Sequence, residues 1–199
     1  MKKIFFTQRV EINESYGERR DVIDREIPKL LHECGLLPIA CPNDEKIVEE
    51  MLKELSPDGF FFSGGNSLVK YGGDAPERDA VETLLIERAI EQNLPLLGIC
   101  RGCQFIADYF GGTLEKAEGH VRTTHKITGE ITREVTSFHE YAITRIKKPL
   151  AIVSQAEDNT IEAVRHENLK ITGIMWHPER GGRCEEDLRL IGEVYSSSE

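Results

Sequence analysis

The chain has 199 residues, of which 39% are hydrophobic and 30% charged, a composition that predicts one globular domain and excludes disordered, collagen-like and coiled-coil proteins. Its 35 acidic and 25 basic side chains give a net charge of −10 without any Lys/Arg-rich run, which argues against a nucleic-acid partner. No apolar stretch approaches the about 18 residues of a membrane span, and residues 1–9 lack a signal-peptide core, so we expect a cytoplasmic protein with no membrane partner.

Short apolar runs alternate with helical patterns in the first half of the chain. These runs are continuous, whereas a strand with one face in water alternates apolar and polar residues, so they indicate a parallel sheet covered by helices on both faces. Strands are predicted at 4–6, 36–40, 60–62 and 95–99, one helix ends at Gly35, and two more span 44–55 and 76–92. This half of the chain predicts an α/β sandwich.

After Gly111-Gly112 the apolar runs alternate with polar residues, a pattern typical of antiparallel strands added to the sheet. They are predicted at 125–127, 141–143, 151–153, 161–164 and 171–176, and a last helix is predicted at 185–195. We therefore expect a single domain over residues 1–195, followed by a polar tail at 196–199.

A cysteine occupies the turn between a predicted buried strand and an amphipathic helix. Gly98 and Gly102 flank Cys100, which is the pattern of a nucleophile elbow with sulfur in place of the serine oxygen. The free N–H groups and the dipole at a helix N-terminus stabilise a thiolate, and the backbone N–H of Arg101 can face a developing oxyanion. The sequence therefore predicts that Cys100 is a nucleophile; the alternative is a small buried cysteine packed against the sheet.

Two further interpretations of these residues stay open. Cys100 and Cys103 have the Cys-x-x-Cys spacing of redox pairs, although an odd number of sparsely spaced cysteines does not predict a disulfide framework. With His120 and His125 they also resemble a Cys2His2 zinc site, although the interval from Cys103 to His120 is slightly long for a zinc finger. Because neither interpretation explains the flanking glycines, we favour the nucleophile and expect no metal and no cofactor.

A thiolate nucleophile needs a base, and His177 is the strongest candidate among six histidines. It follows the apolar strand 171–176, and Pro178 keeps the chain extended there. In an extended segment residues i and i+2 project to the same side, so Glu179 can accept the imidazole N–H and fix its tautomer. The residues predict a triad of Cys100, His177 and Glu179. An exposed charged pair is the alternative, and His139 is a second candidate base.

Four segments together resemble the class I glutamine amidotransferase superfamily, in its γ-glutamyl hydrolase-like branch. They are 62–66 (FSGGN), 98–104 (GICRGCQ), 137–143 (SFHEYAI) and 173–179 (GIMWHPE). The resemblance covers nearly the whole chain and implies a flavodoxin-like fold, the same triad and no cofactor. It places the oxyanion N–H groups at Gly65 and Arg101. It assigns substrate contacts to Gly64, Asn66, Gln104, Ser137, Phe138 and His139.

The resemblance implies an enzyme that cleaves a γ-glutamyl amide through a γ-glutamyl thioester and releases glutamate. Departures from the family pattern at Cys103, Asp108 and 140–141 indicate a leaving-group pocket unlike that of hydrolases of γ-glutamyl-γ-aminobutyrate. Segments 157–163, 137–139 and 173–177 look most similar to hydrolases of γ-glutamyl-CDP-amidate, which act in capsule phosphoramidate synthesis.

The leaving group of such a nucleotide amidate is anionic, so an acidic protein must supply local cations to bind it. We expect these cations at Arg9, Arg19, Arg20 and Arg101, on loops and helix starts near the carboxyl edge of the sheet.

Other functions stay open beside this one. A γ-glutamyl-γ-aminobutyrate-type conjugate is the alternative substrate, and the chain also fits a glutaminase subunit that delivers ammonia to a separate synthetase, or a homodimer. A stress or redox protein of related fold, in which Cys100 is oxidised, is the non-enzymatic alternative. The residues His177 and Glu179 argue against it, because oxidation of a thiol needs neither.

Overall fold

The computed structural model describes residues 1–180 and 184–196, so the last three residues of the predicted tail lie outside it. Its strands are β1 (Lys2–Phe6), β2 (Arg9–Asn13), β3 (Glu18–Val22), β4 (Leu36–Ala40), β5 (Gly59–Phe62), β6 (Leu96–Ile99), β7 (Thr113–Lys116), β8 (Val121–Gly129), β9 (Arg133–Phe138), β10 (Tyr141–Arg145), β11 (Leu150–Ala156), β12 (Ile161–His166) and β13 (Ile171–Ile174). Its α-helices are α1 (Glu26–Glu33), α2 (Glu45–Leu55), α3 (Pro76–Gln92), α4 (Arg101–Tyr109) and α5 (Glu185–Val194).

One mixed sheet runs through the molecule. Its parallel part has the order β4-β1-β5-β6-β13. The strands β12, β11, β8 and β9 continue it in antiparallel fashion, and β10 and β7 attach beside β12. The predicted α/β class is confirmed. The strand predicted at 171–176 differs from the prediction, because β13 pairs in parallel with β6 and antiparallel with β12.

The sheet separates two apolar cores, as the alternation of side chains along a strand requires. On β5, Phe60 and Phe62 face the core formed with α2, α3 and α4, whereas Phe61 faces the core formed with α1 and α5. All three rings are fully buried. A strand covered on both faces must be apolar throughout, which explains the continuous runs in the sequence.

Most predicted element boundaries hold within two residues. The helix predicted at 44–55 begins one residue later because the Asp44 carboxylate caps it, accepting a hydrogen bond from the Ile47 N–H at 3.1 Å. Pro76 begins α3, where its missing N–H costs nothing. The hairpin of β2 and β3 was not predicted, because most of its residues are exposed and charged and its apolar residues, such as Val10 and Ile12, are single ones between polar neighbours.

The carboxyl ends of β1, β5, β6 and β13 meet at one edge of the sheet, where ligands bind in open α/β folds. The segments that follow them bring Thr7, residues 63–65, Cys100 and residues 175–179 to this edge. Within residues 1–180 and 184–196, no helix is both long and apolar enough to cross a membrane.

Candidate active site

Cys100 lies at the tip of the turn between β6 and α4, in a backbone conformation that side chains rarely adopt (φ +49°, ψ −108°). Hydrogen bonds from the Cys100 N–H to the Ile174 carbonyl (2.8 Å) and from the Gln104 N–H to the Cys100 carbonyl (3.0 Å) hold this conformation. The surrounding backbone therefore holds Cys100 in a strained conformation at the edge of the sheet. A nucleophile elbow has this conformation.

The two flanking glycines are required by close packing. A Cβ on Gly98 would lie 2.6 Å from the carbonyl of Gly102, and a Cβ on Gly102 would lie 2.3 Å from the carbonyl oxygen of Phe62. Any side chain at either position would push α4 away from the sheet. The first turn of α4 therefore lies directly over the strand ends, with the free N–H groups of its N-terminus beside Cys100.

His177 and Glu179 form a buried pair at the same edge. His177 Nδ1 lies 2.6 Å from Glu179 Oε1, and the side chains are only 4% and 1% exposed, so the alternative of an exposed charged pair is wrong. Burial lowers the pKa of His177, but interactions with the Cys100 side chain and Glu179 outweigh this effect and raise the pKa to about 9. The imidazole is therefore protonated at neutral pH.

Gly64 lies between the thiol and the imidazole. A Cβ built on it would be 3.6 Å from Cys100 Cβ, 3.7 Å from His177 Nε2 and 2.9 Å from His177 Cε1. The next residue, Gly65, has φ +85° and its missing side chain faces Arg9. The Gly64-Gly65 turn thus forms one wall of the site.

Arg78 on α3 holds this turn in place, and sequence reasoning missed it. Its guanidinium donates to the carbonyl oxygens of Ser63 (2.6 Å), Gly64 (3.1 Å) and Gly65 (2.6 Å). The sequence did contain a signal for Arg78. Arg78 and Glu82 are four residues apart, on the same face of α3 as its buried apolar residues, and both are fully buried. A charged residue on the buried face of a helix needs a polar or charged partner.

The side chain of Arg101 is not a surface cation, contrary to the prediction. It is 1% exposed and forms ion pairs with Glu82 and Asp79 beneath the site. Only its backbone N–H, at the first position of α4, remains available to a ligand at the edge. Arg19 and Arg20 also differ from the prediction, because they lie on β3 and pair with Glu77 and Glu18.

Arg9 and Arg180 are the cations that line the crevice beside His177 and Glu179, together with Gly64 and Gly65. The Arg9 side chain is 42% exposed and pairs with Glu11 at the surface. The guanidinium of Arg180 lies over the Phe138 ring, 4.6 Å from its centroid. A larger cavity of about 760 Å³ lies elsewhere, between the antiparallel strands and α5, and contains none of the candidate residues.

The remaining predicted contact residues have different surroundings. Gln104 is nearly buried, and its amide donates to the Tyr141 carbonyl at 2.7 Å. The side-chain amide of Asn66 forms two hydrogen bonds with the backbone of Val10, one as acceptor and one as donor. These bonds fix the β2–β3 hairpin, so this amide is not directed at a substrate. The Phe138 ring stands edge-on to His177, with centroids 5.5 Å apart.

Ser137 and His139 face away from this crevice. The Ser137 hydroxyl is fully buried and donates to the His120 carbonyl at 2.7 Å. His139 Nε2 lies 3.3 Å from Glu162 Oε1, in a cluster with His120 and His125. The structure therefore groups His139 with other histidines, whereas His177 has the carboxylate partner and the neighbouring cysteine.

Cys103 is completely buried one turn into α4, and burial raises the pKa of its thiol well above the ordinary value. Its sulfur packs against Gly173, where a Cβ would approach it to 2.7 Å. A thiol that stays protonated is a poor redox partner and a poor zinc ligand. This geometry argues against both the redox and the Cys2His2 interpretations of Cys100 and Cys103.

The family model described as glutamine amidotransferase class-I matches residues 18–191. A γ-glutamyl-CDP-amidate hydrolase of Campylobacter jejuni is 35% identical over 97% of this chain and 97% of its own length. A glutamine-hydrolysing GMP synthase subunit of Methanosphaera stadtmanae is 27% identical over 94% of this chain and 99% of its own. A crystal structure assigned to a GMP synthase subunit of Thermoplasma acidophilum has the same fold, with a TM-score of 0.75 at 21% identity, covering 98% of this chain and 94% of that one.

Proposed function

We propose that this chain, which belongs to the class I glutamine amidotransferase family of enzymes, hydrolyses a γ-glutamyl amide with Cys100 as the nucleophile. The four segments 62–66, 98–104, 137–143 and 173–179 predict this family. One observation carries this proposal. The strained elbow cysteine borders the same glycine as a buried imidazole, and that imidazole has a carboxylate partner at 2.6 Å. Nucleophile, base and orienting group are the parts that acyl transfer through a thioester requires.

The proposed reaction has two steps. The Cys100 thiolate attacks the γ-carbonyl carbon, the N–H groups of Gly65 and Arg101 stabilise the oxyanion, and the His177 imidazolium gives its proton to the departing nitrogen. Water then attacks the thioester, transfers a proton to His177 and releases glutamate and the free thiolate. A pKa of about 9 suits His177 to this role, because the imidazole begins the cycle protonated.

The leaving group that we propose is a nucleotide amidate such as CDP-amidate. The C. jejuni relative supports this choice by its name and by its 35% identity over nearly the full length. The crevice beside the triad brings two cations, Arg9 and Arg180, to the site. Asp24 and Glu179 line the same crevice, and Arg180 lies 4.0 Å and 3.6 Å from them, so Arg9 is the cation with no acidic partner inside the crevice. The exposed pair of Arg9 with Glu11 is worth little in water, so the guanidinium can turn to a phosphate.

The substrate is tested by comparing kcat/KM for glutamate release from γ-glutamyl-CDP-amidate and from γ-glutamyl-γ-aminobutyrate. A charge-assisted phosphate contact is worth about 1.5–3 kcal/mol, so we expect the nucleotide amidate to be preferred by roughly ten- to a hundredfold. Arg9→Ala and Arg180→Ala should each reduce this preference. Arg19→Ala, an exposed arginine of the same hairpin with a different partner, is the matched control and should leave it unchanged.

A second candidate function is favoured by the relatives that are GMP synthase subunits, whose names include the word glutamine-hydrolysing. In that case the chain would be a glutaminase that works with a separate synthetase. Glutamine would then be the best substrate, and equal kcat/KM values for the two conjugates, both below that for glutamine, would replace our substrate proposal with this one.

Gly64→Ala tests the proposed geometry without removing a reacting group. The added methyl would lie 2.9 Å from His177 Cε1, so the imidazole must move, and a displacement of about 1 Å costs roughly a hundredfold in rate. We expect kcat/KM to fall by about that factor while the melting temperature stays near that of the wild type. Gly192→Ala, at a helix position with nothing within 4 Å, is the control and should retain full activity. A fully active Gly64→Ala enzyme would show that His177 does not act from this position.

A further inference from the structure

Three histidines and one glutamate converge behind the 137–139 segment, outside the proposed triad. His120 precedes β8, His125 lies on β8, His139 follows β9, and Glu162 lies on β12. Glu162 is fully buried, and His120 and His139 are 4% and 3% exposed. Four ionisable side chains from separate parts of the sequence thus share one buried volume.

Polar atoms of this cluster have no hydrogen-bond partners within the described residues. They include Nδ1 of His120, Nε2 of His125, both ring nitrogens of His139 and both carboxylate oxygens of Glu162. Leaving one buried polar group unsatisfied costs about 1–3 kcal/mol, and a charged carboxylate costs more. The three imidazoles already face Glu162 as ion pairs, with no good hydrogen-bond geometry. A single cation would replace these contacts by taking a lone pair from one nitrogen of each histidine and from one oxygen of Glu162.

The spacing of these atoms fits a metal ion. Glu162 Oε1 lies 3.7 Å from His120 Nδ1, 3.5 Å from His125 Nε2 and 3.3 Å from His139 Nε2. Two ligands bound tetrahedrally to zinc at 2.0–2.1 Å are about 3.3–3.4 Å apart. Ligand atoms of His120, His125 and Glu162 all lie within 4.8 Å of one another, so small side-chain movements are enough to bring these three around one ion. His139 lies outside this set of three and reaches it at Glu162, so its imidazole has to move further to become the fourth ligand.

A second carboxylate orients one of the imidazoles from outside the cluster. Asp158 Oδ2 lies 2.8 Å from His120 Nε2, and the Thr160 N–H and hydroxyl bind the other oxygen of Asp158. In the tautomer that donates from Nε2 to Asp158, Nδ1 keeps its lone pair and lies 3.7 Å from Glu162 Oε1. A carboxylate behind a metal-bound histidine is the usual outer arrangement of zinc sites.

We propose that His120, His125, His139 and Glu162 bind a structural Zn²⁺ ion. Imidazole-rich sites with one carboxylate select zinc-class metals over magnesium or calcium, and four protein ligands leave no open position for catalysis. The ion would fasten the β8–β9 hairpin to β12. That hairpin needs such support, because Ile127 and Val135 are the only buried hydrophobic residues within these two described strands.

Zinc in this place also has a consequence for the proposed triad. His139 directly follows Phe138, whose ring contacts the His177 imidazole at 5.5 Å between centroids. Fixing His139 therefore fixes one wall around His177. Zinc binding itself does not depend on the proposed reaction, and its test does not use activity.

The test uses the untagged chain of residues 1–199, purified without chelator and analysed for metal by mass spectrometry. We expect about one zinc per chain, and a Co²⁺-substituted protein with the visible bands of a tetrahedral ion but without a sulfur-to-cobalt charge-transfer band. Asp158→Asn should lower zinc affinity by about 10–100-fold. His125→Ala and Glu162→Gln should lose the metal, whereas His32→Ala, an exposed histidine on α1, should keep it.

Three results would overturn the proposal. The first is a wild-type chain that contains no zinc and shows no rise in melting temperature when zinc is added. The second is a sulfur-to-cobalt charge-transfer band in the Co²⁺-substituted protein, or loss of zinc from a Cys100→Ala, Cys103→Ala double variant. Either result would assign the metal to the cysteines.

The third result is an equal zinc affinity in the wild type and in Asp158→Asn. If His125→Ala or Glu162→Gln fails to fold, the cobalt spectrum of the wild type and the Asp158→Asn affinity decide the matter.

Discussion

Replacing Cys100 by alanine is expected to lower kcat/KM for γ-glutamyl amide hydrolysis by about 10⁴- to 10⁶-fold. The thioester cannot form without the sulfur, and removal of the nucleophile from other enzymes of this chemical type costs a factor of this size. The measurement is glutamate release by the purified variant. Cys100→Ser should be nearly as inactive, because a serine hydroxyl in this site is far more weakly ionised than a thiol.

The fold should tolerate this change. Cys100 is 7% exposed at the tip of a turn, and alanine keeps its backbone hydrogen bonds to Ile174 and Gln104. Cys34→Ala, at the end of α1, is the control for thiol loss and should keep full activity. A Cys100→Ala variant that retains most of its activity would eliminate the nucleophile. If a glutamine-analogue electrophile failed to alkylate Cys100 while peroxide oxidised it readily, the stress-protein interpretation would replace the enzyme.

Glu82→Ala is expected to lower the free energy of unfolding by about 3–5 kcal/mol, the usual cost of leaving buried charges without their partner. Glu82 is fully buried and accepts hydrogen bonds from Arg78 Nε at 3.0 Å, from the Thr7 hydroxyl at 2.8 Å and from Arg101. Burial lowers the pKa of both guanidinium groups, which shows how much hydration they lose, and Asp79 offsets part of this effect. Urea-induced unfolding monitored by circular dichroism measures the effect.

Glu91→Ala is the matched control on the same helix. Glu91 pairs with Arg88 at 3.5 Å, its side chain is 64% exposed, and an exposed pair of this kind contributes about 0–1 kcal/mol. Equal unfolding curves for the two variants would show that the buried network does not stabilise α3. Because Arg78 also holds the carbonyls of Ser63 and Gly65, any folded Glu82→Ala protein should lose activity as well as stability.

The sequence predicted the elbow and the imidazole–carboxylate pair from spacing of five residues or fewer. Gly98, Cys100 and Gly102 define a turn by themselves, and such a local signal survives in any tertiary context. The extended segment predicted at Pro178 is wrong. Pro178 and Glu179 lie in a turn closed by a hydrogen bond from the Arg180 N–H to the His177 carbonyl (3.0 Å), and this turn still brings Glu179 beside His177. The helices and the buried strands were predictable because hydrophobic periodicity depends only on neighbouring residues.

Contacts between distant residues could not be predicted in this way. The sequence indicated a surface cation at Arg101, yet Asp79 and Glu82 on another helix bury its side chain. Arg180 lines the crevice because the turn of residues 177–180 places it there, and Asn66 is occupied by the backbone of Val10, which lies far earlier in the chain. Each of these outcomes depends on which segment packs nearby, a question that periodicity does not address.

The amino-acid sequence by itself determined the α/β class, the strand–turn–helix elbow at Cys100 and the pairing of His177 with Glu179, because each depends on residues that are close in the chain. Only the tertiary structure decided that β13 lies beside β6 in parallel, so that His177 and Cys100 leave the sheet at the same edge. It also decided that His120, His125, His139 and Glu162 meet in one buried cluster. Strand order brings these side chains together, and strand order depends on burying apolar faces that lie far apart in the chain, as the two cores on either side of the sheet show.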